Sequence, residues 1–74
     1  MKMYNYSMTV MNPDDFSQET KVACGSWHVD EEMARQSMER RRARTKNVVD
    51  AWVIHKNFKT HVAFEGRMVR IGQQ

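Results

Sequence analysis

The sequence predicts a small α+β domain in which a helical middle segment lies between two β-hairpins. Three observations predict this class: alternating polar and apolar residues in 4–11, a helix-starting motif at Asp30, and a Gly-containing turn at Glu65-Gly66. A chain of 74 residues has room for one hydrophobic core of modest size. We therefore expect residues 1–74 to form a single domain.

The first predicted element is a half-buried strand over residues 4–11. Polar residues there alternate with four larger side chains, Tyr4, Tyr6, Met8 and Val10. Asn12-Pro13-Asp14-Asp15 is a turn signature, because Pro fixes φ while Asn and Asp side chains cap their own backbone. A second extended stretch, Thr20 to Cys24, ends at Gly25-Ser26. We expect a loose hairpin within an acidic, strand-forming segment of residues 1–26.

A helix is predicted to start at Asp30. Asp is a good N-cap residue, and Glu31 and Glu32 in the first turn complement the helix dipole. One helical face then carries apolar or small side chains at Met33, Ala34, Ser37 and Met38. This stripe is interrupted at Arg41 and Thr45, and it resumes at Val48, Val49, Trp52 and Val53.

Two interpretations of this middle segment remain open. One long helix from Asp30 to about Lys56 is permitted, because neither Gly nor Pro occurs from residue 26 to residue 65. Alternatively, the arginine run connects two helices, and Thr45 caps a second helix from Lys46 to about Asn57. We favour two helices because the apolar stripe is interrupted just before a residue suited to capping. Trp52 is expected to be largely buried in either case.

The last predicted element is a C-terminal hairpin that turns at Glu65-Gly66. Its expected register pairs Phe64 with Arg67, Val62 with Val69, and Thr60 with Ile71. One face is then apolar, with Thr60, Val62, Phe64, Val69 and Ile71. The other face carries His61, Ala63, Met68 and Arg70, and Arg67 lies near the tip. Such a basic hairpin is typical of a DNA-contacting wing and also of ordinary surface hairpins.

The charges are strongly polarised along the chain, although the net charge is only +3. Residues 1–34 carry two Lys against six Asp or Glu, a net charge of −4, whereas residues 35–74 carry ten Lys or Arg against three, a net charge of +7. The densest part is Arg40-Arg41-Arg42-Ala43-Arg44-Thr45-Lys46, shortly after Arg35. This asymmetry indicates a positive binding face, and the alternative is a solvated helix face.

Catalysis and metal binding have little support in the sequence. Cys24 has no recognisable base partner, and His28, His55 and His61 are scattered over segments of different type. Zinc needs about four ligands in paired spacings, which these residues do not supply. Phosphate-binding glycine patterns are missing as well. We expect a non-enzymatic protein without a metal or cofactor, outside the membrane and in a reducing cytoplasm.

Nucleic acid is the first partner class that the arginine run indicates. Arg and Lys neutralise phosphates, and the N-terminal amides of a second helix would also bind one. Asn47 is a candidate base reader, since Asn pairs with adenine, although Asn at such a position is more often a cap. Duplex DNA is accordingly the first partner that we expect.

Four short motifs add to this interpretation: Ala34-Arg35-Gln36, Arg40-Arg41-Arg42-Ala43-Arg44, Val49-Asp50-Ala51-Trp52-Val53 and Gly66-Arg67. With these motifs, the region from about Trp27 to Ile71 resembles the bacteriophage excisionases, recombination directionality factors with a MerR-like winged-helix fold. The resemblance implies a winged-helix-like domain in residues 27–74 that bends attachment-site DNA and cooperates with an integrase without catalysis. The implied DNA-contacting residues are Arg35, Arg40, Arg41, Arg42, Arg44, Lys46, Asn47, Arg67 and Arg70.

Two other functions compete with DNA binding. In the first, the chain is a phage-encoded inhibitor or effector that docks its arginine-rich helix on an acidic host or phage protein, such as a polymerase, a nuclease or a defence complex. In the second, it is a self-assembling accessory protein, and residues 4–11 form an exposed pairing edge. A homodimer would fit this last case. We expect the protein to act in the cytoplasm of a bacterial host cell.

Overall fold

The computed structural model describes residues 1–59, 61–64 and 67–70. In chain order the elements are β1 (Lys2–Met11), β2 (Gln18–Lys21), α1 (Glu31–Arg44), β3 (Val48–Asn57), β4 (His61–Phe64) and β5 (Arg67–Arg70). An antiparallel sheet has the order β2-β1-β3, and β4 pairs with β5 in a second sheet. The α+β class is confirmed.

β1 is the central strand of the larger sheet. The predicted strand is confirmed, but it is buried on both faces: Met3, Asn5, Tyr6, Ser7, Met8 and Thr9 are all buried. Neighbours cover both of its edges, since β2 pairs with Met8–Met11 and β3 pairs with Lys2–Val10. The prediction that residues 4–11 form an exposed pairing edge is therefore wrong.

The N-terminal hairpin is confirmed, with its second strand earlier than expected. β2 is Gln18–Lys21 instead of 20–24, because the turn after Met11 is short and the Asn12 N–H donates to the Ser17 carbonyl at 2.7 Å. The hydroxyl and the backbone N–H of Ser17 hydrogen-bond the Asp15 carboxylate, which holds the pKa of that carboxyl below its ordinary value.

Beyond β2 the chain leaves β1 and then returns to it. Ala23 has a φ of 57°, a left-handed conformation that turns the backbone. The Cys24 N–H then donates to the Tyr6 carbonyl at 2.9 Å, and His28 exchanges two backbone hydrogen bonds with Tyr4. The free edge of β1 beyond β2 is thereby covered by residues 24–28.

α1 begins where the sequence predicts. The Asp30 carboxylate accepts the Glu32 N–H at 3.0 Å, which confirms Asp30 as the N-cap. Of the predicted apolar stripe, Ala34 and Met38 are buried, and Met33 remains 46% exposed. No helix in residues 1–59, 61–64 and 67–70 is long and apolar enough to cross a membrane.

Both predicted helical arrangements of residues 30–56 are wrong beyond Arg44. Thr45 is a C-cap instead of an N-cap, because its hydroxyl donates to the Arg41 carbonyl at 2.7 Å and closes α1. Residues 48–57 then form β3 instead of a second helix. The spacing of Val48, Val49, Trp52 and Val53 fits a helical face, but this β-branched and aromatic segment pairs with β1. The winged-helix arrangement, which requires the second helix, is not confirmed.

α1 packs on one face of the sheet around a small core. Met38 of the helix is 5% exposed and packs with Tyr6 and Met8 of β1. Partly buried neighbours extend this cluster: Val10, Cys24, Val48, Ala51 and Val53. Trp52 belongs to the other face and is 39% exposed, so the prediction that it is buried is wrong.

The C-terminal hairpin has the predicted register where it is described. β4 and β5 pair antiparallel, with Phe64 opposite Arg67 and Val62 opposite Val69. The predicted pair of Thr60 with Ile71 and the turn at Glu65-Gly66 lie outside the described residues.

Replacing Asp30 by Ala is expected to lower the free energy of unfolding by about 1 kcal/mol. The substitution removes the acceptor for the Glu32 N–H at the first turn of α1. Urea denaturation measures the loss. Asp14→Ala is the matched control, because Asp14 is exposed in the β1–β2 turn and caps no helix. Equal losses in the two variants would contradict the capping role.

Candidate functional site

Five cations surround the C-terminal end of α1: Arg40, Arg41, Arg42, Arg44 and Lys46, here called the arginine cluster. All five are exposed, and no ion pair involves them among the residues that the structure describes. The helix dipole stabilises cations at this end, so part of the cluster also serves α1 itself. Their charge is nevertheless available to an anionic partner.

Arg35 lies apart from the cluster. Its guanidinium is 3.6 Å from the carboxylates of Glu31 and Glu32 in the acidic first turn of the helix. Such exposed pairs contribute little to stability, but they offset the charge of Arg35 locally. The structure therefore does not bring this predicted site residue together with the others.

The predicted groove-reading residues lie in a turn instead of on a helix. Asn47 has a φ of 63°, and its carbonyl accepts the Met11 N–H at 2.9 Å, so its backbone links the α1–β3 turn to β1. Neither Lys46 nor Asn47 is on a recognition helix. The prediction that a second helix would bind a phosphate at its N-terminus is also wrong, because the arginine run lies at the C-terminal end of α1 and a strand follows it. Arg67 and Arg70 are at the two ends of β5.

An open cleft lies beside the arginine cluster, between β2 and the end of α1. It has a volume of about 290 Å³, with Met8 and Val10 at its base and Lys21, Val22 and Arg41 among its walls. A second depression of about 280 Å³ shares Val10, Lys21 and Thr45 with it and continues toward the β1–β2 turn. We call the two together the β2–α1 cleft.

Exposed apolar side chains accompany the cationic walls of this cleft. Val22 is 71% exposed, and Phe16, next to Ser17 in the wall of the second depression, is 74% exposed with a φ of 59°. Val22 lines the cleft itself, so its exposed side chain is within reach of a molecule bound there. The cleft thus combines an apolar base and the exposed Val22 with two cations, Lys21 and Arg41, and with one carboxylate, Glu19, in the second depression.

The sequence indicated only part of this cleft. The arginine run indicates Arg41, whereas no sequence motif marks Lys21, Val22 or Phe16. Lys21 ends β2 and Val22 follows it directly before the left-handed Ala23, whereas the left-handed Phe16 adjoins the cleft through its neighbour Ser17. Neither Phe nor Ala is a residue that normally signals positive φ, so no local pattern could have revealed the arrangement.

The reactive side chains near the cleft have local hydrogen-bond partners. The Cys24 thiol donates to the Lys21 carbonyl at 3.0 Å, and His28 Nε2 lies 3.4 Å from the Ser37 hydroxyl, which accepts from Arg40 at 3.0 Å. Within the described residues, no group of three or more His, Cys, Asp or Glu could hold a metal ion.

No protein-family model matches the chain, and neither a curated protein nor a solved structure is significantly similar to it. The resemblance to excisionases therefore stays a prediction.

Proposed function

We propose that this protein is a small non-enzymatic docking module that binds an acidic segment of a partner protein. The observation that carries the proposal is the shared position of Arg41. It belongs to the arginine cluster and also forms a wall of the β2–α1 cleft. One bound segment can therefore contact cations and an apolar base at the same place.

The apolar part of the site favours a protein over a nucleic acid. A phosphate backbone is bound by cations and polar hydrogen-bond donors. The side chains of Val22, Met8 and Val10 in the cleft supply neither a charge nor a hydrogen-bond donor. A protein segment with acidic and apolar side chains uses both components, because charge complementarity guides docking and apolar burial stabilises the complex.

A titration with two synthetic peptides tests this proposal. The first peptide alternates Glu with Leu, and the second alternates Glu with Ser, so that both have the same charge. We expect the Glu–Leu peptide to bind more tightly and to shift the amide resonances of Cys24, Arg41 and Thr45. Equal affinity of the two peptides, or shifts confined to other residues, would contradict docking in the cleft.

Replacing Arg41 by Gln is expected to weaken binding of the Glu–Leu peptide by about five-fold, because one cation next to the cleft is lost. Arg35→Gln is the matched control, since it removes the same charge from the same helix beside Glu31 and Glu32. Its affinity should stay close to that of the wild type. Isothermal titration calorimetry measures the affinity of the peptide for both variants. An equal loss of affinity in the two would show that only the net charge of the protein matters, and would contradict a specific contact at Arg41.

Duplex DNA remains a second candidate, favoured by the cations of the arginine cluster that have no carboxylate partner among the described residues. Binding of this kind would depend on phosphate contacts. Its affinity should fall steeply between about 50 and 200 mM salt. Changing Arg41 and Arg42 to Ala should weaken it uniformly across sequences, whereas changing Asn47 should alter sequence preference only if Asn47 reads a base. A duplex titration without binding at about 50 mM salt would exclude this candidate.

A further inference from the structure

The edge of β3 that faces away from β1 is open in the described part of the chain. β3 pairs with β1 from Lys2↔Asn57 to Val10↔Val48, and no described residue pairs with its other edge. It is ten residues long, and it carries Trp52, which is 39% exposed. A long edge strand rich in β-branched residues is a template for pairing with another chain.

The hydrogen bonds of β1 show which residues of β3 point to this edge. The backbone of Tyr4 exchanges hydrogen bonds with that of His28, and the Tyr6 carbonyl accepts the Cys24 N–H. The backbone N–H and C=O groups of Tyr4 and Tyr6 therefore point away from β3. By alternation, the backbone groups of Met3, Asn5 and Ser7 point toward β3. The residues of β3 opposite them, which direct their own backbone groups back to β1, are Lys56, Ile54 and Trp52. It follows that Ala51, Val53 and His55 direct their N–H and C=O groups to the open edge.

We propose that two copies of the chain join along this edge as an antiparallel pair, with Val53 on the two-fold axis. In that register Asp50 lies opposite Lys56 of the second copy, and Trp52 lies opposite Ile54 of the second copy. Each pair occurs twice because the interface is symmetric. The three-stranded sheets of the two copies then form one continuous sheet of six strands.

Charge complementarity selects this register and a second copy as the occupant. In an antiparallel pair, a residue whose N–H and C=O groups point to the partner strand lies opposite another such residue. The two-fold axis must therefore pass through a residue position of β3, and the alternative registers place it at a neighbouring residue. With the axis at Trp52, Asp50 opposes Ile54, and with the axis at Ile54 it opposes position 58. Only the Val53 register brings the one acid of β3 opposite its one Lys.

Asp50 also shows how the edge is protected in a single copy. Its carboxylate accepts the N–H of the next residue, Ala51, at 2.8 Å, which covers one of the outward donors. On pairing, this N–H is taken by the second copy, and the carboxylate turns to the opposing Lys56. The β2–α1 cleft lies on the β2 side of the sheet, so pairing at β3 and docking at the cleft are separate properties.

Charge reversal tests the register by sedimentation velocity. Asp50→Lys and Lys56→Asp each place like charges opposite one another twice, and each is expected to raise the dimer dissociation constant about ten-fold or more. The double variant Asp50→Lys with Lys56→Asp restores opposite charges and should return the constant close to that of the wild type. Circular dichroism confirms that the three variants are folded.

Hydrogen exchange at increasing protein concentration tests the same proposal without substitution. The amides of Ala51, Val53 and His55 should become slower to exchange as dimers form, while those of Trp52 and Ile54 keep their exchange rates. A wild-type chain that stays monomeric up to about 1 mM would overturn the proposal. A double variant as weakly associated as the single variants would overturn the Val53 register.

Discussion

Replacing Asn5 by Ala is expected to lower the free energy of unfolding by about 3 kcal/mol. Asn5 has no exposed surface, and its side chain makes three hydrogen bonds. Its Nδ2 donates to the Gly25 carbonyl at 2.7 Å, and its Oδ1 accepts the N–H groups of Tyr6 at 2.8 Å and Gly25 at 3.0 Å. Ala leaves those backbone groups without their partner in a site that water does not reach freely.

Urea denaturation followed by tryptophan fluorescence measures this loss. Asn12→Ala is the matched control, because the Asn12 side chain accepts the Asp14 N–H at 3.0 Å in an exposed turn where water can replace it. We expect Asn12→Ala to cost less than about 1 kcal/mol. If Asn5→Ala costs no more than Asn12→Ala, the three hydrogen bonds of Asn5 do not hold the fold.

The effect of Asn5 extends to the candidate site. The side chain fixes Gly25 beside β1, where a Cβ would lie 2.9 Å from Cε1 of the buried Tyr6 ring. This close approach keeps the preceding residues, Ala23 and Cys24, against the base of the β2–α1 cleft. Binding of the Glu–Leu peptide should therefore weaken in Asn5→Ala even under conditions in which the variant is folded.

The parts of the fold that could be predicted depend on local patterns. Asp30 with two following glutamates starts a helix whatever lies around it, and the Asn12–Asp15 turn and the C-terminal register need only neighbouring residues. Asn5 shows the limit of this approach. Alternation assigns it to solvent, but it is buried because the distant residue Gly25 supplies its hydrogen-bond partners.

The predicted second helix failed for a different reason. Val48, Val49, Trp52 and Val53 satisfy a helical period as well as they fit a strand, and the sequence offers no Gly or Pro between α1 and β3 to decide. The deciding signals were the β-branched composition of 48–54 and the left-handed Asn47. The central strand β1 also needs a partner on this side, which no local pattern shows.

Replacing Met38 by Ala is the other substitution with a large expected effect, a loss of about 2 to 3 kcal/mol. Met38 is the large apolar side chain of α1 that is buried on the sheet, where it packs with Tyr6 and Met8. Ala34 is the other buried residue of the helix, and Met33 lies half in solvent. Ala at position 38 leaves a cavity under α1, and few other apolar contacts of the helix can compensate.

Met33→Ala provides the matched control for this prediction, because the same atoms are removed from the same helix. Met33 is 46% exposed, and Ala has the higher helix propensity, so a change below about 1 kcal/mol is expected. Urea denaturation separates the two variants, and equal stability losses would show that α1 is not held through Met38. Arg41 lies one turn after Met38 and forms a wall of the cleft. Met38→Ala should therefore also weaken binding of the Glu–Leu peptide, which Met33→Ala should leave unchanged.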